Sequence, residues 1–135
     1  MQHTSARLWD HSLKAMFDEI DDYLEEAYGQ EYPLHPNRPR RGRTSNKEMD
    51  GLFNVGADFT AGYGSHLGRG YVVQVRMSTL EHIPREVRRQ IESKVIELVR
   101  RKLPERFPNR NLSVERDGRL IKIIGDTGLG SVIRE

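Results

Sequence analysis

IPREVRRQIESKVIELVRRKLP, residues 83–104, is the stretch that decides the fold. Its apolar residues Ile83, Val87, Ile91, Val95, Leu98, Val99 and Leu103 return every three or four positions, tracing one broad face of a helix. Pro84 suits a first helical turn, where its missing N–H costs nothing, and Pro104 ends the run. The spacing predicts an amphipathic helix over 84–103. A helix of this kind has to lay its apolar face on another layer.

The segments on either side supply that layer. Upstream, LFNVGADFTA (52–61) and GYVVQVRMSTL (70–80) are rich in β-branched and aromatic residues, and the glycine-rich GYGSHLGR (62–69) separates them. Val73, Val75 and Met77 alternate with Gln74 and Arg76, and Phe53, Val55, Ala57 and Phe59 alternate with Asn54 and Asp58. One buried face and one wet face follow, in a hairpin over 52–77. Downstream, LSVERDGRLIKIIG holds two short strands around Asp117-Gly118, a tight-hairpin signal, giving a second hairpin over 111–124.

Further out, Trp9, Leu13, Met16, Phe17, Ile20, Leu24, Ala27 and Tyr28 fall in steps of three and four, with Thr4 or Ser5 to cap the start and Gly29 to stop the run. A helix over 4–29 results. Residues 30–51, QEYPLHPNRPRRGRTSNKEMDG, have three prolines, two glycines, five bases and no periodicity, and read as a long basic loop. The tail at 126–135 has no pattern and is expected to fray. The order is α-β-β-α-β-β without a repeat. It predicts an α+β fold, a two-layer sandwich in which two amphipathic helices cover a mostly antiparallel four-stranded sheet. The 135 residues suit a single domain, 1–135.

Composition narrows the function. With no cysteine there is neither a disulfide framework nor a thiolate metal site, and the five histidines at 3, 11, 35, 66 and 82 lack zinc spacing. No signal peptide and no membrane span is legible, so the expected location is cytoplasmic. Charge is uneven: residues 1–31 hold eight acids against Arg7 and Lys14, and the remainder is correspondingly basic. Either an anionic partner or matching of one half of the molecule to the other accounts for such asymmetry.

The densest positive cluster is HPNRPRRGRTSNK, with Arg38, Arg40, Arg41, Arg43 and Lys47 inside ten positions. Guanidinium groups bind phosphate oxygens bidentately and release counterions, so this loop is a candidate contact for RNA or DNA. His66 and Arg69 in the glycine-rich loop are candidate anion contacts too, and a single surface requires the two loops to lie on one side. The bland alternative pairs the loop arginines with carboxylates of the first helix. The second helix adds Arg85, Arg88, Arg89, Arg100, Arg101 and Lys102, mixed with Glu86 and Glu97, which reads first as a solvated face.

Other constellations are thinner. The glycines of 62–70 match neither a dinucleotide fingerprint nor a P-loop, because a strand follows them. Asp18, Asp22 and Glu26, spaced by four, read as a solvated acidic face and not as a Mg²⁺ or Ca²⁺ site. Ser65, His66 and Asp58 do not make a triad by sequence proximity. The reading is therefore a non-enzymatic binding module for an anionic partner, RNA or DNA, with no catalytic residue, cofactor or metal assigned. The alternative is a protein–protein or self-associating module, a homo-oligomer included. An enzyme with its site at the glycine-rich hairpin is the third.

Overall fold

The computed structural model describes residues 2–62 and 67–125, with side chains from Leu8 onward. Helix α1 spans Gln2–Tyr28, strands β1 and β2 span Phe53–Thr60 and Gly70–Met77, helix α2 spans Arg85–Arg106, and β3 and β4 span Leu112–Asp117 and Leu120–Gly125. The four strands form one antiparallel sheet in the order β1-β2-β4-β3. Helix α1 packs on β1, α2 on β3, and the two helices on each other, so both cover the same face. The α+β sandwich expected from the sequence is the architecture found. No helix among the described residues is long and apolar enough to cross a membrane.

Burial follows the periodicity. Trp9, Leu13, Met16, Phe17, Ile20 and Leu24 of α1, and Ile91, Val95, Leu98, Val99 and Leu103 of α2, meet Phe53, Val55, Val73, Val114, Ile121 and Ile123 of the sheet in a single core. Trp9 is among its largest members, its ring 4.5 Å from that of Phe107 and 5.5 Å from that of Tyr71. Such large apolar bodies dominate the burial that drives folding.

Two boundaries differ from the expectation. Helix α2 continues through Pro104 to Arg106, and Phe107 N–H closes on the carbonyl of Leu103 at 2.8 Å. A proline in the last turn removes one intrahelical bond, while its fixed φ is itself helical, and the apolar contact of Phe107 in the core holds the turn shut. In the second hairpin Asp117 pairs with Leu120, so the two-residue turn is Gly118-Arg119. Gly118 takes φ +64°, the positive value demanded by a turn with glycine first.

Register also fixes the two ends of the sheet. Phe53 opposes Met77 at one end of the first hairpin, and Thr60 opposes Gly70 at the other. Val73 opposes Ile121, which places the Gly118-Arg119 turn at the Met77 end. There it joins the C-terminus of α1, the start of α2 and the basic loop, whose Arg38 donates to the carbonyl oxygens of Gly51 and Asp50. Residues 61–62 and 67–69 are at the opposite end, separated by an eight-residue strand, roughly 25 Å.

Candidate anion-binding site

The arginine loop turns inward before it turns outward. Arg41 lies among three carboxylates: its Nη1 donates to Asp50 at 3.0 Å, and its Nη2 donates to Glu25 at 3.2 Å and to Asp21. Asp21 and Asp50 are both 1% exposed. Asp50 also accepts from the backbone N–H groups of Gly42 and Thr44 and from the Thr44 hydroxyl, and Glu25 accepts from the N–H groups of Leu52 and Phe53. Asp21 accepts the N–H of Val55. The loop is thereby fastened to α1 and to the start of β1 by charge-assisted hydrogen bonds, the stronger kind.

These charges perturb one another. Burial pushes Asp21 up to about 7, with Glu25 adding to the rise, although Arg41 and the Val55 N–H pull the other way. Burial would also raise Asp50, but the Thr44 and Gly42 donors together with Arg41 hold it below the ordinary carboxylate range. Burial works against the Arg41 cation, yet Asp21 and Glu25 keep it charged. Three acids around one guanidinium leave no place for a further anion at Arg41.

The remaining predicted contacts disperse. Lys47 pairs with Asp22 of α1 at 3.1 Å, and Arg38 is held by backbone carbonyls. Arg40 and Arg43 are exposed, and neither makes an ion pair among the described residues. Arg69 is exposed at the far end of the sheet, and His66 lies outside the described residues. Arg69 does not meet the basic loop, because the register sets Gly70 and Phe53 at opposite ends of the β1–β2 pair. Of the other acids, Asp18 pairs with Lys14 at 3.2 Å. Among the described residues no group of acids and histidines is arranged to hold a metal ion.

A second concentration of arginines assembles where sequence distance hid it. A cleft of about 700 Å³ opens between the first turns of α2 and the β3–β4 turn, lined by Arg85, Arg88, Arg89, Arg116 and Arg119 with Ser93 and a single acid, Glu92. Glu92 pairs with Arg116 at 3.3 Å. The side chains of Arg85, Arg88, Arg89 and Arg119 have no hydrogen bond or ion pair among the described residues. By contrast, the bases at the other end of α2 are matched: Lys102 and Arg106 pair with Glu19 of α1, and Arg101 pairs with Glu97. Three arginines in the opening turns also oppose the helix dipole, whose N-terminus is already positive and favours acids.

The chain is thus a two-layer α+β module with one internal charge clasp and one open cationic cleft. It belongs to a family of proteins described as uncharacterised, whose model matches residues 4–125. It is 43% identical over 107 residues to an uncharacterized protein of Borreliella burgdorferi (strain ATCC 35210 / DSM 4680 / CIP 102532 / B31), covering 79% of this chain and 84% of that relative. No solved structure matches the chain.

Proposed function

We propose that the protein is a non-enzymatic binding module for a nucleic-acid strand, RNA or DNA, gripped by its phosphates in the cleft between α2 and the β3–β4 turn. The observation that carries the reading is the surplus there: five guanidinium groups face one carboxylate on a concave surface. Folding gains nothing from like charges crowded at a helix N-terminus, so their presence is best explained by an external anion. Arg40 and Arg43 are exposed in the basic loop at the same end of the sheet. Contacts of this type position a backbone without reading bases, and they give steep salt dependence with little sequence preference.

Filter binding of a 20-nucleotide single strand, RNA and DNA separately, across a range of KCl concentrations tests this. The wild type should bind with a steep log–log salt slope. The triple variant Arg88→Ala/Arg116→Ala/Arg119→Ala should flatten that slope by about 2, at roughly 0.7 per phosphate contact on a single strand. Absent binding at low salt, or an unchanged slope in the triple variant, refutes the reading.

A further inference from the structure

Strand β1 is an edge of the sheet, and its outward backbone groups are treated unequally. Phe53 and Val55 turn their N–H groups away from β2, onto Glu25 and Asp21 of α1. Strand alternation points the N–H groups of Ala57 and Phe59 the same way. Among the described residues, these two have no acceptor. The half of β1 that α1 leaves uncovered borders a groove of about 380 Å³ between the two elements. Leu13, Phe17, Ala57 and Phe59 give it an apolar floor, and Phe59 is 52% exposed.

Its rim is acidic. Asp10, Asp18, Glu48 and Asp58 line the groove against a single base, Lys14, which is itself shared between Asp18 at 3.2 Å and Glu48 at 3.7 Å. This is the reverse of the arginine cleft, on the other edge of the molecule. An unpaired strand edge next to an apolar groove is the geometry that accepts an added strand: main-chain bonds supply affinity, and alternate side chains enter the groove. Native edges are otherwise blunted by charge or cover, as α1 does for the first half of β1.

We infer that the groove between α1 and the second half of β1 docks an extended basic segment of a partner protein. The segment adds as a strand beside Ala57 and Phe59, sets its apolar side chains against Leu13 and Phe17, and turns its alternate Lys or Arg side chains to the face of Asp58, while Asp10 and Asp18 beside the groove add to the attraction. The charge complementarity selects a cationic segment. The site is separate from the arginine cleft, so either can fail without the other.

The probe is a fluorescein-labelled octapeptide alternating valine with arginine or lysine, titrated by anisotropy at 50 and 500 mM NaCl, with a valine–glutamate octapeptide as the control. The cationic peptide should bind at least tenfold more tightly than the acidic one and weaken at high salt. In ¹H–¹⁵N spectra the Ala57 and Phe59 amides should move first. Ala57→Pro deletes an outward N–H while keeping the ladder to β2, and it should weaken binding at least tenfold. If that variant fails to fold by circular dichroism, the charge reversal Asp10→Lys/Asp58→Lys decides in its place, with the same loss expected. Equal binding by the folded variant, amide shifts confined to other elements, or a dimer in sedimentation that buries this edge against a second copy would each overturn the proposal.

Discussion

Arg41 and Arg88 are both arginines on the same end of one sheet, and they have opposite fates. Arg41 sits 21% exposed between Asp21, Glu25 and Asp50, and its charge is consumed in tying the connection between α1 and β1 back onto α1. Arg88 belongs to a group that no carboxylate among the described residues neutralises apart from Glu92. The density of positive charge along the chain is higher around Arg41. What separates the two is the supply of acids that the fold brings near, and this is set by register and packing. A cationic run is therefore a poor guide to a binding surface until its internal partners have been counted.

The comparison can be broken by substitution, and the largest effect is expected inside the clasp. Arg41→Ala leaves two nearly inaccessible carboxylates without their cation and should cost about 3–5 kcal/mol in urea unfolding. A loss below about 1 kcal/mol would show that the loop is not fastened through this residue. Next comes pH. Because Asp21 in the folded chain titrates near 7, above its ordinary 3.8, the native state holds a proton that the unfolded chain has released across that window. Its contribution is complete below about pH 4 and is lost as pH rises through 7. Asp21→Asn should remove that downward slope from unfolding free energies measured between pH 4.5 and 7.5, and an unaltered slope would assign it elsewhere.

The cleft should behave in the contrary manner. Arg88→Ala and Arg119→Ala, each alone, are expected to shift stability by no more than about 0.5 kcal/mol by thermal unfolding, since neither side chain is engaged in the fold. Relief of repulsion near the α2 N-terminus favours a small gain for Arg88→Ala. The smallest effect concerns salt: raising NaCl from 50 to 500 mM should leave the clasp nearly untouched, because its charges are largely removed from solvent, while any polyanion affinity collapses. If added salt unfolds the protein, the clasp is more exposed than its geometry indicates.

Much of the fold was legible because its elements have strong periods. Leu13, Phe17, Ile20 and Leu24 announce α1, and Val73 with Val75 announces the buried side of β2, since burial imposes those repeats directly. The turn of the second hairpin lies one residue beyond the Asp117-Gly118 signal, because Asp-Gly and Gly-Arg both place glycine at a positive φ and only strand register chooses between them. The order β1-β2-β4-β3 was beyond reading, as no local pattern says which side of β2 the last strand joins.

The clasp leaves only a faint signal in the sequence. Leu13, Phe17, Asp21 and Glu25 stand four apart, so an acid interrupts an apolar row, and an acid so placed needs a buried partner. Asp18, Asp22 and Glu26, one position further round the helix, are the more solvated neighbours. Asp50 gave no signal at all, being one acid in an aperiodic loop. The cleft was half visible in Arg85, Arg88 and Arg89, where positive charge meets the wrong end of a helix dipole. Arg116 and Arg119 join them across some thirty positions only through the tertiary fold.

Strand β2 ends as an interior strand, yet it is made long before the neighbour that encloses it. Its partner on one side, β1, precedes it directly, whereas β4 is the last element in the sheet. Throughout ribosomal synthesis of the intervening helix and β3, the flank of Tyr71, Val72 and Val73 has no hydrogen-bonding mate. A message truncated after residue 110 would therefore yield a product with sticky strands on two sides, prone to aggregate and to occupy chaperones.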